Sequence, residues 1–273
     1  MEATLSQYRR LFGASPYIRS VVQGAAFLAA SMIAIFAAVS YATVHASNHV
    51  TDIVLSNLGP FDMRFLFVYG TFTGFAVIGT LLAWKPNRLP FALKSMALFL
   101  LVRAVFVSLT HIAPSPIEPP TPAPFLNSIF YGSDLFFSGH TGLPFLAALS
   151  FWHVAPLRWF FLAATFFFGA VVLLGHYHYS IDVLAALFIT HGIFQIACWL
   201  FPRDYALFRS SEQQASRRLR SDQPGDGEAK SPKPVRRRIG KWVTRAAKPR
   251  ALVPAASAVV AADRPPLQIV QQD

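Results

Sequence analysis

Long apolar stretches alternate with short polar breaks from residue 20 to residue 201. A helix needs about 20 apolar residues to cross the hydrocarbon core. Six stretches reach or approach that length, at 20–43, 65–84, 91–112, 141–156, 158–175 and 179–201. The pattern predicts an all-α polytopic membrane protein with six transmembrane helices. The fourth stretch is short and ends at His153 and Pro156, which leaves its boundary loosely set. The first is too long for the apolar core of a cleavable signal and lacks a small-residue exit, so it reads as a signal anchor. No internal repeat is visible. The chain divides into an N-terminal segment 1–19, a membrane domain 20–202 and a tail 203–273.

Positive charge orients the spans. Arg9, Arg10 and Arg19 precede the first; Lys85, Arg88 and Lys94 lie between the second and third. Arg158 marks the turn between the fourth and fifth, and Arg203 and Arg209 follow the sixth. These segments are expected on the cytoplasmic side. The intervening segments face outward. Residues 44–64 carry only Arg64, while residues 113–137 and Gly175 to His178 carry no Lys or Arg.

The tail is a different material. From Arg203 onward it holds 15 Lys and Arg against 7 Asp and Glu. With its Ser, Pro, Gln and Gly, it is expected to be mostly disordered. Val235, Ile239, Trp242, Val243 and Ala246 fall on one helical face, with Arg236, Arg237, Arg238, Lys241 and Arg245 mostly around the rest. That pattern suits a basic helix on anionic inner-leaflet lipids. A solvated tail that only enforces topology is the plainer alternative. Nucleic-acid binding is not expected, because no recognisable fold accompanies the charge.

Composition agrees. Of 273 residues, 54% are hydrophobic and 14% charged, where a soluble domain carries roughly 25% charged. The single cysteine, Cys198, excludes an intrachain disulfide and a cysteine metal cluster. It reads as a small apolar residue.

Chemistry concentrates in two short stretches. Ser138-Gly139-His140-Thr141 opens the fourth span, and His178-Tyr179-Ser180-Ile181-Asp182 opens the sixth. The two histidines lie 38 residues apart, one helix in and one helix back, so both should return to the outer face. Asp182 follows His178 by four residues, and on a helix such side chains are neighbours. A carboxylate there fixes the imidazole tautomer and frees the other ring nitrogen to attack. Gly139 permits close backbone approach to an anion. Ser138, Thr141 and the amides at this helix start are candidate holders of phosphate oxygens. Two histidines at one site can divide nucleophile from acid. Arg103, inside the third span, needs an anionic partner, either a lipid phosphate or a carboxylate in another span. His45, His49, His153 and His191 lack such matched company and read as boundary residues, while His111 and His176 stand open between that reading and a functional one. Between His111 and Ser133 stand Pro114, Pro116, Pro119, Pro120, Pro122 and Pro124. This extended loop is either a cap over the site or a stiff connector. Glu118 within it is a candidate second base.

These residues resemble a known family. Asp134 through Thr141 looks like the third signature of the sphingomyelin synthases and their relatives, and His178 through Val183 like the fourth. Arg103 through Thr110 to Pro114 is similar to the second; Asp52-Ile53-Val54-Leu55 with Leu58 to Pro60 is faintly similar to the first. That family belongs to the type 2 phosphatidic acid phosphatase superfamily, which implies a phosphatidic acid phosphatase type 2-like helical bundle. The resemblance implies that His178 is the nucleophile forming a phosphohistidine, that Asp182 activates it, and that His140 acts as acid and then base. It further implies substrate contacts from Arg103, Asp134, Ser138, Gly139, Thr141 and Tyr179, with no metal and no cofactor. The phosphatases' Lys-to-Arg-Pro signature is missing, as is the Ser-Arg pair ahead of the second histidine; Val172 stands six residues before His178. Gly132-Ser133-Asp134 replaces a common Cys-Gly-Asp.

The expected activity is transfer of a phosphorylated head group from a phospholipid donor to a lipid alcohol, either ceramide or diacylglycerol. A lipid phosphatase or phosphodiesterase with water as acceptor is the nearest alternative, and a non-catalytic lipid-binding or transport protein a more distant one. The alanine-rich, cysteine-poor chain suits a bacterial inner membrane, with the site open to the periplasm; a eukaryotic Golgi or plasma membrane is the alternative with the same topology and a lumenal or exoplasmic site.

Overall fold

The computed structural model describes residues 11, 13, 15–116 and 135–221, with backbone alone for 211, 212 and 214–221. Glu118, the prolines from Pro119 to Pro124, Asp134 and the basic 235–246 segment lie outside the described residues.

Seven α-helices follow one another among the described residues. They are α1 (Ser15–Val44), α2 (Arg64–Trp84), α3 (Leu89–Leu109), α4 (Gly139–Ser150), α5 (Ala155–Leu174), α6 (Ser180–Leu200) and α7 (Pro202–Ser221), with a 3-10 turn at Pro86–Arg88 before α3. Proline stands in the first turns of α3 and α5, where a missing N–H costs nothing. Ser138 caps α4, its Oγ accepting from the Thr141 amide at 3.4 Å. Five segments are long and apolar enough to cross a membrane: α1, α2, the 3-10 turn with α3, α5 and α6.

The fourth expected span is shorter than the pattern at 141–156 predicts. Helix α4 has 12 residues, contains Pro144 and ends at Ser150. At 1.5 Å per residue it is about 18 Å long, less than the hydrocarbon thickness. Beyond its C-terminal end other groups pack together. Phe151 stacks on Phe161 with centroids 5.6 Å apart and lies 5.4 Å from Phe208 of α7. The Arg88 guanidinium sits 4.9 Å above the Phe151 ring and donates to the Leu81 carbonyl at 2.8 Å.

Helix α7 also departs from the expected boundary at 202. Its sequence is charged, yet Phe208 is buried in the core against Phe91. Three polar groups fasten it. Lys94 Nζ donates to Asp204 Oδ2 at 2.7 Å and to Ser20 Oγ at 2.8 Å, and Ser20 Oγ donates to Asp204 Oδ1 at 2.7 Å. The part-buried trio joins α1, α3 and α7.

Elsewhere the helices pack through small residues, which let backbones approach where lipid and core are equally apolar. Ala38 and Ala42 of α1 meet Ala104 and Val107 of α3. A Cβ on Gly142 of α4 would stand 2.8 Å from the Phe99 ring and 2.9 Å from Thr190 Oγ1, so glycine sets the close approach of α3, α4 and α6. Large apolar side chains such as Ile33, Phe65, Phe166, Phe188 and Trp199 remain exposed, as lipid-facing groups should.

Candidate active site

The site is assembled where the C-terminal part of α3 meets the N-terminal ends of α4 and α6. His140 lies in the first turn of α4, and His178 lies two residues before α6 begins. Their rings come together with centroids 6.4 Å apart. The expected convergence of the two motifs is therefore present.

His178 and Asp182 form the second pair. Nδ1 of His178 is 3.5 Å from Asp182 Oδ2, too long for a good hydrogen bond but close enough for a charge to orient the ring. Asp182 is fully buried and His178 nearly so. The same Oδ2 accepts the Tyr179 amide at 3.0 Å, closing the first turn of α6. The Asp182 carbonyl accepts the Ser138 amide at 3.1 Å, which joins the two motifs through backbone. With Nδ1 turned to the carboxylate, Nε2 is the ring nitrogen left for chemistry.

Arg103 reaches the same place from α3. Its Nε donates to the Phe137 carbonyl at 2.8 Å, just ahead of the α4 N-terminus. A Cβ on Gly139 would be 3.4 Å from Arg103 Nε and Cζ, so the missing side chain lets the guanidinium lie against the first turn of α4. A cation beside a helix N-terminus is a setting for a phosphate group. Ser138 and Thr141 are buried, and Thr141 Oγ1 donates to Ser138 Oγ at 3.3 Å. Both hydroxyls thus shape the turn that presents His140. Tyr179 also holds structure, its hydroxyl donating to the Ala113 carbonyl at 2.9 Å. Asp134 lies outside the described residues.

Aromatic rings wall the pair. Phe67 of α2 lies 4.2 Å from the His140 ring and 4.6 Å from Tyr177, and Phe168 of α5 lies 6.4 Å from His140. Nothing in the local sequence around Phe67 announces this contact, because it joins helices distant along the chain.

The turn from α5 to α6 is held from two sides. His176 adopts φ 56°, a left-handed conformation, and its Nε2 bonds the Leu58 carbonyl at 3.0 Å. It is buried rather than a boundary residue. Asp52, from the same α1–α2 segment as Leu58, meets Ser180. Burial pushes the Asp52 carboxyl up, but hydrogen bonds from the Ser180 hydroxyl and amide and from the Leu55 and Val54 amides outweigh it and hold the group below its ordinary value. The charged form is therefore the one folding favours. This contribution is present above the ordinary carboxylate range and is lost as pH falls through the lowered value.

The other histidines are peripheral. His45 and His111 sit beside Tyr41 at the C-terminal ends of α1 and α3, and His191 pairs with Gln195 on an exposed face of α6. His153 lies in the link from α4 to α5; burial, then Arg209 and Arg158, lower its value. Cys198 is half-buried on α6. Among the described residues, no group of three or more His, Cys, Asp or Glu is placed to hold a metal ion.

Residues 132–199 match the family model described as PAP2 superfamily C-terminal. That span contains both histidine motifs and Asp182. The match supports a relationship to the type 2 phosphatidic acid phosphatase superfamily and a lipid phosphatase or phosphotransferase type of function. No curated protein and no solved structure matches the chain.

Proposed function

We propose that this chain is a membrane lipid phosphotransferase, similar to the sphingomyelin synthases, that carries a phosphorylated head group on His178. The donor is a phospholipid and the acceptor a lipid alcohol, ceramide or diacylglycerol. One observation supports this most: two histidine rings 6.4 Å apart, one backed by a buried carboxylate, with an arginine against the helix turn that bears the other.

The chemistry runs in two halves. The Nε2 lone pair of His178 forms a bond to phosphorus, and the phosphorus–oxygen bond to the leaving diacylglycerol breaks. His140, whose imidazolium form the anionic donor phosphate would favour once bound, gives its proton to that oxygen. Arg103 and the first amides of α4 steady the charge on the phosphoryl oxygens. In the second half, neutral His140 takes the proton of the acceptor hydroxyl, whose oxygen bonds phosphorus as the phosphorus–nitrogen bond breaks. His140 ends protonated again. The wall of Phe67 and Phe168 favours a lipid hydroxyl over water.

The test supplies purified protein with a fluorescent ceramide or diacylglycerol and mixed phospholipid donors, reading products by mass spectrometry. Transfer predicts a new phospholipid carrying the fluorescent acceptor. Free phosphate or a free phosphorylated head group, with the acceptor untouched, would replace this reading with a hydrolase.

The proposed orientation is outward. Arg19, Lys85, Lys94, Arg158, Arg203 and Arg209 belong to the cytoplasmic end, and the histidine pair to the opposite end, in a bacterial inner membrane the periplasmic one. A reporter fused after Arg209 should read the cytoplasm; a periplasmic signal would invert the site.

A further inference from the structure

Asp52 sits in the segment between α1 and α2, 128 residues before its partner Ser180. Its two carboxylate oxygens accept four hydrogen bonds. Oδ2 takes the Ser180 amide and the Ser180 hydroxyl, each at 2.7 Å. Oδ1 takes the Val54 amide at 2.8 Å and the Leu55 amide at 3.2 Å. Two of these donors are amides of the outer segment itself. The carboxylate therefore rests on a fixed turn and grips the first residue of α6.

The position of that grip matters. Ser180 is the first residue of α6, between His178 and Asp182 in the chain. Tyr179 and Ser180 are the hinge that sets how His178 faces Asp182. The Tyr179 amide is already held by Asp182 Oδ2. The Ser180 amide is an orphan donor of the helix start, and Asp52 is the acceptor that fills it. The 3.5 Å gap between His178 Nδ1 and Asp182 Oδ2 depends on this turn keeping its place.

We propose that Asp52 is a positioning residue for the histidine–carboxylate pair, acting through Ser180 and never touching the reacting phosphate. This rests on the reading of His178 and Asp182 as the working pair. A second-tier partner of this kind typically contributes about tenfold or more. Its effect belongs in turnover, because it aligns the nucleophile and leaves lipid contacts alone.

The experiment uses the full-length protein in detergent or nanodiscs, with the lipid transfer assay and amide hydrogen exchange. Asp52→Ala should lower kcat about tenfold with KM unchanged. Asp52→Asn keeps one acceptor oxygen and should restore part of that loss. Ser180→Ala keeps its N–H and should fall less than Asp52→Ala. The double variant should be no worse than Asp52→Ala alone, since both remove one interaction. Exchange at the Ser180 amide should rise about fivefold in Asp52→Ala, the size of a lost helix cap, with the middle of α6 unchanged. Full kcat in Asp52→Ala, or losses that multiply in the double variant, would overturn the proposal. So would exchange that rises along all of α6, which marks general destabilisation. A wild-type protein without lipid phosphate chemistry would defeat the reading of the site instead. The clamp itself would still stand on faster exchange at Ser180 and fall without it.

Discussion

Replacing His178 with alanine is expected to lower turnover by at least about 10³-fold, because it removes the nucleophile itself. The neighbouring groups cannot substitute. The His140 ring centroid is 6.4 Å away and its role is proton transfer. Asp182 is buried behind the His178 ring, with Oδ2 committed to the Tyr179 amide. Loss of fold is separable from loss of chemistry. The imidazole is nearly buried, so truncation will cost some stability, and a thermal unfolding measurement on the same sample reports that cost. Retained turnover in a folded His178→Ala protein would remove His178 from the mechanism.

Asp182→Asn has the next largest expected effect, a fall in kcat of about 10²–10⁴-fold with KM nearly constant. The substitution is close to isosteric. An asparagine oxygen can still accept the Tyr179 amide, so the first turn of α6 should keep its shape. What changes is charge and tautomer. A carboxylate draws the proton to His178 Nδ1 and leaves Nε2 as the free lone pair. An amide lacks that charge and can offer an N–H to Nδ1, which favours the wrong tautomer. Steady-state kinetics on a series of donor concentrations separates the two parameters. Unchanged kcat would mean that the pair only caps the helix.

Much of this was legible along the chain, and the reasons are local. A four-residue helical spacing predicts that His178 and Asp182 are neighbours, although His178 stands two residues before α6 and meets Asp182 across its first turn; the meeting of His140 with His178 follows from an out-and-back interval. Arg103 stood out because a guanidinium inside a span demands a partner. The apolar pattern extends the fourth span past Ser150, whereas α4 ends there and Phe151 packs against Arg88 and Phe208. Helix α7 was hidden by its charge; one phenylalanine and the Lys94–Asp204 contact dock it. Asp52 drew notice only through a faint motif, since its grip on Ser180 spans 128 residues and leaves no periodic trace. Phe67 escaped for the same reason. Ser138, Thr141 and Tyr179 stand at the turns that carry the two histidines, and their hydroxyls take part in holding those turns.

The central claim is a covalent intermediate on one named nitrogen. The most direct measurement exposes the wild-type protein briefly to phospholipid donor without acceptor, quenches it under alkaline conditions that preserve phosphohistidine, and maps the adduct by peptide mass spectrometry. The account predicts the mass of a phosphorylated head group on the peptide containing His178, lost on addition of ceramide or diacylglycerol. An adduct on another residue, or turnover with no adduct at any quench time, would contradict it.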